Sequence, residues 1–215
     1  MVKKLTKEDI EWIQTRYPKL KVTADEKYIE GELSFSRSYE GYKISDSYNL
    51  RISLSIEHGT MLPKVYEISD KIQKIAKIHN KDLSDLHMNS DQSFCLGIPE
   101  RESEIFKNGF TIKEFFIKSV EQFLYQISFY AQKGYFPWGE YAHGYLGYLE
   151  VYAEGKIDLA SLLTQLEKYE ILTLININRQ SLCLCGSGKK LRKCHPLIFK
   201  GINMLKKSVS DKMIS

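Results

Sequence analysis

Residues 48–56, Tyr48-Asn49-Leu50-Arg51-Ile52-Ser53-Leu54-Ser55-Ile56, alternate between apolar or aromatic and polar side chains without a break. A period of two places every second side chain on one face, the pattern of a strand that buries one side and wets the other. Sheets of that kind are antiparallel, because parallel sheets are covered on both faces. Reading upstream, Lys19–Val22 also alternates, Tyr28–Phe35 does so less cleanly, and Ser36–Tyr42 is turn-rich, so the region reads as an antiparallel meander. Before it, residues 5–16 predict a helix, with Thr6 as its cap, Glu8 and Asp9 near its start, and Ile10, Trp12 and Ile13 as its apolar side. Tyr17-Pro18 ends that helix.

Downstream, Met61–Glu67 is an extended segment with one proline, followed by a short helical stretch around Asp70–Ala76. Residues 81–100 are polar and irregular, with apolar anchors at Leu86, Phe94 and Leu96, and predict a loop. Thr111–Gln132 predicts a long amphipathic helix whose apolar positions are Ile112, Phe115, Phe116, Val120, Phe123, Leu124 and Ile127. A dense aromatic turn follows at Gly134–Glu140, in which Tyr135, Phe136 and Trp138 read as core or interface anchors. His143–Tyr152 resumes a helical pattern, and Leu159–Leu172 predicts one further helix.

At 215 residues with 43% hydrophobic side chains, the chain buries enough surface to need no disulfide staples and is too apolar for intrinsic disorder. The longest apolar runs fall short of the roughly 20 residues that a membrane span requires. The opening MVKKLTKEDIEW has no apolar leader-like run, so a cytoplasmic protein with no membrane partner is expected. Charge is uneven. Of the net +4, residues 189–215 supply +7 from eight Lys/Arg and one Asp, which leaves −3 on the rest. The basic end lacks interleaved aromatics and reads as a solvated face near a metal site, so nucleic acid is not the expected partner.

Four cysteines divide into a cluster of three, Cys183, Cys185 and Cys194, and a lone Cys95. Cys-x-Cys, eight residues, then Cys194-His195 supplies the four soft or borderline ligands of a closed zinc site. Gly186 and Gly188 permit the reversal after the first pair. Three thiolates and a neutral imidazole leave Zn2+ with an inner-shell charge of about −1, which the adjacent Lys189, Lys190, Arg192 and Lys193 offset while favouring the thiolates. The segment CLCGSGKKLRKCH resembles the SEC-C motif, a small zinc module at the C-terminus of the SecA translocation ATPase and of many bacterial proteins. Leu184 stands where that motif usually has proline, and Leu191 where it has an aromatic. The resemblance implies zinc on Cys183, Cys185, Cys194 and His195, and a knob that docks a protein partner.

Cys95 lies in Ser93-Phe94-Cys95-Leu96-Gly97, where it is either an inert thiol packed with Phe94 and Leu96 or a nucleophile. The order of elements around it resembles the ubiquitin-conjugating (UBC) fold. In that fold a four-stranded meander follows an N-terminal helix, and the active cysteine lies in a long loop after His-Pro-Asn. Here His87-Met88-Asn89 matches two of three positions, Phe94-Cys95-Leu96 matches the cysteine's context, and Leu62-Pro63 stands at the proline segment. Pro137-Trp138-Gly139-Glu140 with His143-Gly144 is similar to prokaryotic members of the superfamily. The resemblance implies an α+β fold, a UBC-like antiparallel four-stranded meander flanked by helices, over residues 1–175. The SEC-C module would occupy 176–198 and a basic tail 199–215.

It further implies that Cys95 carries the C-terminus of a ubiquitin-like protein as a thioester and passes it to an amine, with an activating enzyme and a modified target as partners. Asn89 would brace the loop or donate to the oxyanion, His87 would brace the loop, and His143 reads as a packed or solvent-facing histidine. Relatives of this kind resemble components of bacterial antiviral operons. The alternative is a non-catalytic adaptor that binds partners through its zinc knob.

Overall fold

The computed structural model describes residues 4–55, 62–97, 111–137, 141–142, 144–184 and 187–214. Two compact units divide the chain, Met1–Gly139 and Glu140–Ser215. The boundaries expected at 175/176 and 198/199 both fall inside the second unit.

In the first unit, α1 (Lys7–Arg16) starts at Thr6, whose side chain accepts from the Asp9 N–H while Asp9 accepts from the Thr6 N–H, a capping box. The sheet follows as β1 (Leu20–Val22), β2 (Tyr28–Tyr39), β3 (Tyr42–Ser53) and β4 (Val65–Glu67), antiparallel and in sequential order. The alternation of residues 48–54 is realised in full: Tyr48, Leu50, Ile52 and Leu54 are all buried. Register places Ile29 opposite Ile52 and Leu33 opposite Tyr48, so both strands turn their apolar rows to one core. Gly31 stands in that row between Leu20 and Leu50. Its φ is +132°, and a Cβ there would lie 2.1 Å from the Lys19 carbonyl oxygen, so only glycine lets β1 close on β2.

The turn expected across Ser36–Tyr42 is much tighter. Both strands continue to Tyr39 and Tyr42, and the reversal is the pair Glu40-Gly41, at φ 47° and 84°. Two consecutive positive-φ residues make the two-residue hairpin turn whose twist matches the strands. The serines that suggested a turn lie on the wetted face, where Ser36 and Ser45 share a 2.8 Å hydrogen bond across the strands.

From β4 the chain enters α2 (Lys71–Ile78), where the buried Glu67 accepts from the Ser69 and Lys71 N–H groups, each at 2.7 Å. The helix expected over 111–132 is α3, built of Ile112–Phe115, a π turn Phe116–Val120, and Glu121–Lys133. All seven expected apolar positions are buried. Ile112, Phe116, Val120, Leu124 and Ser128 form a strict four-residue repeat, which an ideal α-helix would rotate by about 40° per step. The π turn Phe116–Val120, with its wider i→i+5 bonding, offsets part of that drift, and Phe116 packs on Trp12 of α1 and on Tyr17, the C-cap of α1. Arg37 donates to the Ile117 carbonyl within the π turn at 2.7 Å.

The second unit holds α4 (Tyr145–Ala153), α5 (Leu159–Thr164), α6 (Lys168–Ile175), α7 (Leu191–Cys194) and α8 (Pro196–Ile214). The single helix expected over 159–172 is two. Asp158 caps α5 by accepting from the Ser161 N–H at 2.7 Å, and Glu167 opens α6 with a capping box to Glu170. A second N-terminal signal inside the apolar run divides it. Of the tail expected over 199–215, residues 199–214 belong to α8, whose Ile198, Ile202 and Leu205 join Leu149, Leu162 and Leu174 in a core of their own.

Candidate functional site

The first candidate site is the turn that carries Cys95. After a 3₁₀ turn (Ser84–Leu86), His87 takes φ 57° and redirects the chain. Met88 then bridges Phe94, the Asn89 N–H donates to the Ser93 carbonyl, and the Cys95 N–H donates to the His87 carbonyl, both at 2.8 Å. Residues 87–95 are therefore a short hairpin with His87 opposite Cys95 and Asn89 opposite Ser93. Its outer strand adds to the sheet edge, since Phe94 N–H donates to the Val65 carbonyl at 2.8 Å and Ser93 bridges Tyr66. Met88 and Phe94 are buried, and Phe94 stacks on Phe123 of α3 at 4.1 Å between ring centres. The apolar anchors hold the turn down while Cys95, half-buried, stays at the surface.

Polar contacts fix the tip. Asn89 Nδ2 donates to Ser93 Oγ at 3.0 Å and to the Phe94 carbonyl at 3.2 Å. Ser93 donates its hydroxyl to Asp91 Oδ1 at 2.6 Å and its N–H at 3.0 Å, and Lys64 donates to Asp91 Oδ2 at 2.8 Å. The Lys64 ammonium, then the Ser93 hydroxyl, hold the Asp91 carboxyl down at about 2. The His87 ring packs edge-on against Phe136 at 5.1 Å, and Phe136 is buried, whereas Tyr135 is 57% exposed and is no core anchor. Cys95 Sγ lies 3.8 Å from the Gly97 carbonyl oxygen.

The structure thus brings His87, Asn89 and Cys95 into one hairpin. Within it the Asn89 amide nitrogen is engaged twice, by Ser93 Oγ and by the Phe94 carbonyl. Trp138 and His143 lie outside the described residues. Sequence reasoning missed Lys64, Asp91 and Ser93, although Asn89-Ser90-Asp91-Gln92-Ser93 carries the Asx and serine composition of side-chain-stapled turns.

The second site lies in the second unit. Leu182 bridges Lys190, Cys183 N–H donates to the Lys189 carbonyl at 2.7 Å, and Leu191 N–H donates to the Ser181 carbonyl at 3.0 Å, which makes a hairpin knuckle. Gly188 at φ +70° serves the reversal as expected, and α7 then delivers Cys194 and His195. The ligand atoms of Cys183, Cys194 and His195 lie within 4.8 Å of one another, a group that could hold a metal ion. His195 Nδ1 is 3.1 Å from Cys183 Sγ, and Ser187 Oγ is 3.2 Å from Cys194 Sγ. Cys185, the fourth expected ligand, and Gly186 lie outside the described residues.

Leu191 is fully buried, Leu184 is partly so, and Cys183 belongs to the same apolar cluster as Leu149, Leu174 and Ile202. Leu191 and Leu184 therefore pack the knuckle against the helices of this unit. Nearby, the buried Glu150 accepts from the Ala142 N–H at 2.6 Å. Burial raises its carboxyl above the ordinary range, against the pull of that hydrogen bond and of His195. Among the described residues no helix is long and apolar enough to cross a membrane. No protein-family model, curated protein or solved structure matches the chain in comparison with known proteins.

Proposed function

We propose that this chain is a ubiquitin-conjugating-like acyl carrier that takes the C-terminal carboxyl of a ubiquitin-like protein onto Cys95 as a thioester and passes it to an amine of a target. The observation that carries the reading is the hairpin 87–95. It seats His87, Asn89 and Cys95 together at the β4 edge of a four-stranded antiparallel sheet. Cys95 attacks the activated carbonyl, the incoming thiol leaves, and the acyl group waits on sulfur for the amine. Buried Met88 and Phe94 pin the turn, so alignment, the main contribution to such a transfer, is set before substrate arrives.

Zinc on Cys183, Cys194 and His195, with Cys185 as fourth ligand, completes the reading. A d10 ion on three thiolates and an imidazole has no open position and does no chemistry, so its part is to fix the second unit. The activating enzyme and the target remain partners proposed from the UBC resemblance. The test is native alkylation with a mild iodoacetamide, mapped by peptide mass. The proposal expects Cys95 to react first and Cys95→Ser to abolish biological activity; an unreactive Cys95 together with a fully active Cys95→Ser protein leaves the adaptor reading.

A further inference from the structure

The polar tip of the hairpin has a fixed direction. Asp91 is ionised and accepts only, so Ser93 Oγ must give its proton to Asp91 Oδ1. Ser93 is buried, so its remaining valence is a lone pair, and Asn89 meets it with Nδ2. The Phe94 carbonyl, another pure acceptor, takes the second Asn89 hydrogen. Two independent acceptors therefore settle which end of the Asn89 amide faces inward. Its Oδ1 has no hydrogen-bond partner among the described residues, and Asn89 is exposed.

We propose that Lys64, Asp91 and Ser93 are positioning residues that lock Asn89 with its carbonyl oxygen outward, so that the turn favours an amine as the acyl acceptor. This rests on the reading of Cys95 as the thioester carrier. An outward Oδ1 accepts an N–H from the attacking amine. It cannot donate to an oxyanion, and Nδ2 could do so only by giving up an inward bond. In the step itself the amine nitrogen forms a bond to the thioester carbon, the carbon–sulfur bond breaks, Cys95 leaves as thiolate, and the nitrogen loses one proton to solvent. A thiolate nucleophile has no N–H to hold and gains nothing from Asn89. Oxyanion donation would help both nucleophiles alike, and so would mere stiffening of the turn.

The experiment loads the full-length chain with a glycine-terminated peptide thioester of mercaptoethanesulfonate. It then follows discharge of the purified thioester to lysine and, separately, to 2-mercaptoethanol. Asp91→Ala and Ser93→Ala should slow discharge to lysine about tenfold, the equivalent of one lost hydrogen bond of about 1.4 kcal/mol. Discharge to the thiol should stay within about twofold by the same reasoning. Asp91→Asn keeps an acceptor oxygen for Ser93 and should hold the lysine rate near wild type. Asp91 is exposed, so its variants keep the test valid if Ser93→Ala fails to fold. Equal loss with both nucleophiles, or no loss with either, overturns the proposal. A wild-type chain that never loads overturns instead the carrier reading beneath it.

Discussion

Replacing Gly201 by alanine should destabilise the second unit, although the same change in most helix interiors stabilises. Gly201 lies in α8 where that helix crosses α4, and a Cβ there would stand 2.2 Å from the Leu149 carbonyl oxygen, 3.0 Å from its carbon and 3.3 Å from its Cα. These are backbone atoms and cannot rotate away. To restore ordinary contact the two helices must part by about 1.2 Å, opening a core in which Leu149, Ile202 and Leu205 are fully buried. Overpacking of this kind costs up to about 3 kcal/mol, and better helix propensity returns about 1, so the net loss is about 2 kcal/mol. For a unit of this size that lowers the melting temperature by roughly 8–16 °C. Hydrogen exchange on the full-length chain, read from peptides of α4 and α8 during thermal or denaturant unfolding, assigns the change to this unit. A Gly201→Ala protein as stable as wild type, or more so, would refute the close crossing.

Other outcomes follow from the same geometry. Freshly purified protein should hold one zinc per chain, and chelation or Cys194→Ser should strip exchange protection from residues 145–205 while leaving the β2–β3 sheet protected; equal loss in both units contradicts the assignment. Glu40→Asn should raise stability by about 0.5–1 kcal/mol in denaturant melts, because asparagine tolerates the positive φ that glutamate bears at the hairpin turn. The Asp91 carboxyl should titrate near 2 by carbon NMR, and Lys64→Met should move the midpoint up toward the ordinary value of about 3.9. Because the folded value is the lower one, the brace stabilises above about pH 4 and is lost as pH falls through 2. Asp91 is 41% exposed, so that contribution stays under about 1 kcal/mol.

The sheet was legible because its signal is local: the alternation of residues 48–54 is the burial pattern itself, and Thr6 and Pro18 bracket α1 by their own chemistry. The hairpin was not, since Ser36, Ser38 and Ser45 on a wetted strand face have the same composition as a loop, and only the Glu40-Gly41 conformation tells them apart. The division at 139/140 was hidden for a different reason. Nothing in the run from 141 to 205 announces that Leu149, Leu191 and Ile202 share a core separate from that of the sheet, because such a core is a long-range fact. At the candidate sites the chemistry-bearing residues, Cys95, Asn89, Cys183, Cys194 and His195, were visible by type and spacing. Their supports, Lys64, Asp91 and Ser93, are ordinary surface residue types whose role exists only once the turn has folded.

The carrier assignment is tested most directly by intact mass of the full-length chain after incubation with a glycine-terminated peptide thioester. The account predicts a single added acyl group that maps to Cys95, is released by hydroxylamine, and does not form on Cys95→Ala. No adduct on wild type under conditions that acylate a free cysteine peptide, or equal acylation of the Cys95→Ala chain, would contradict it.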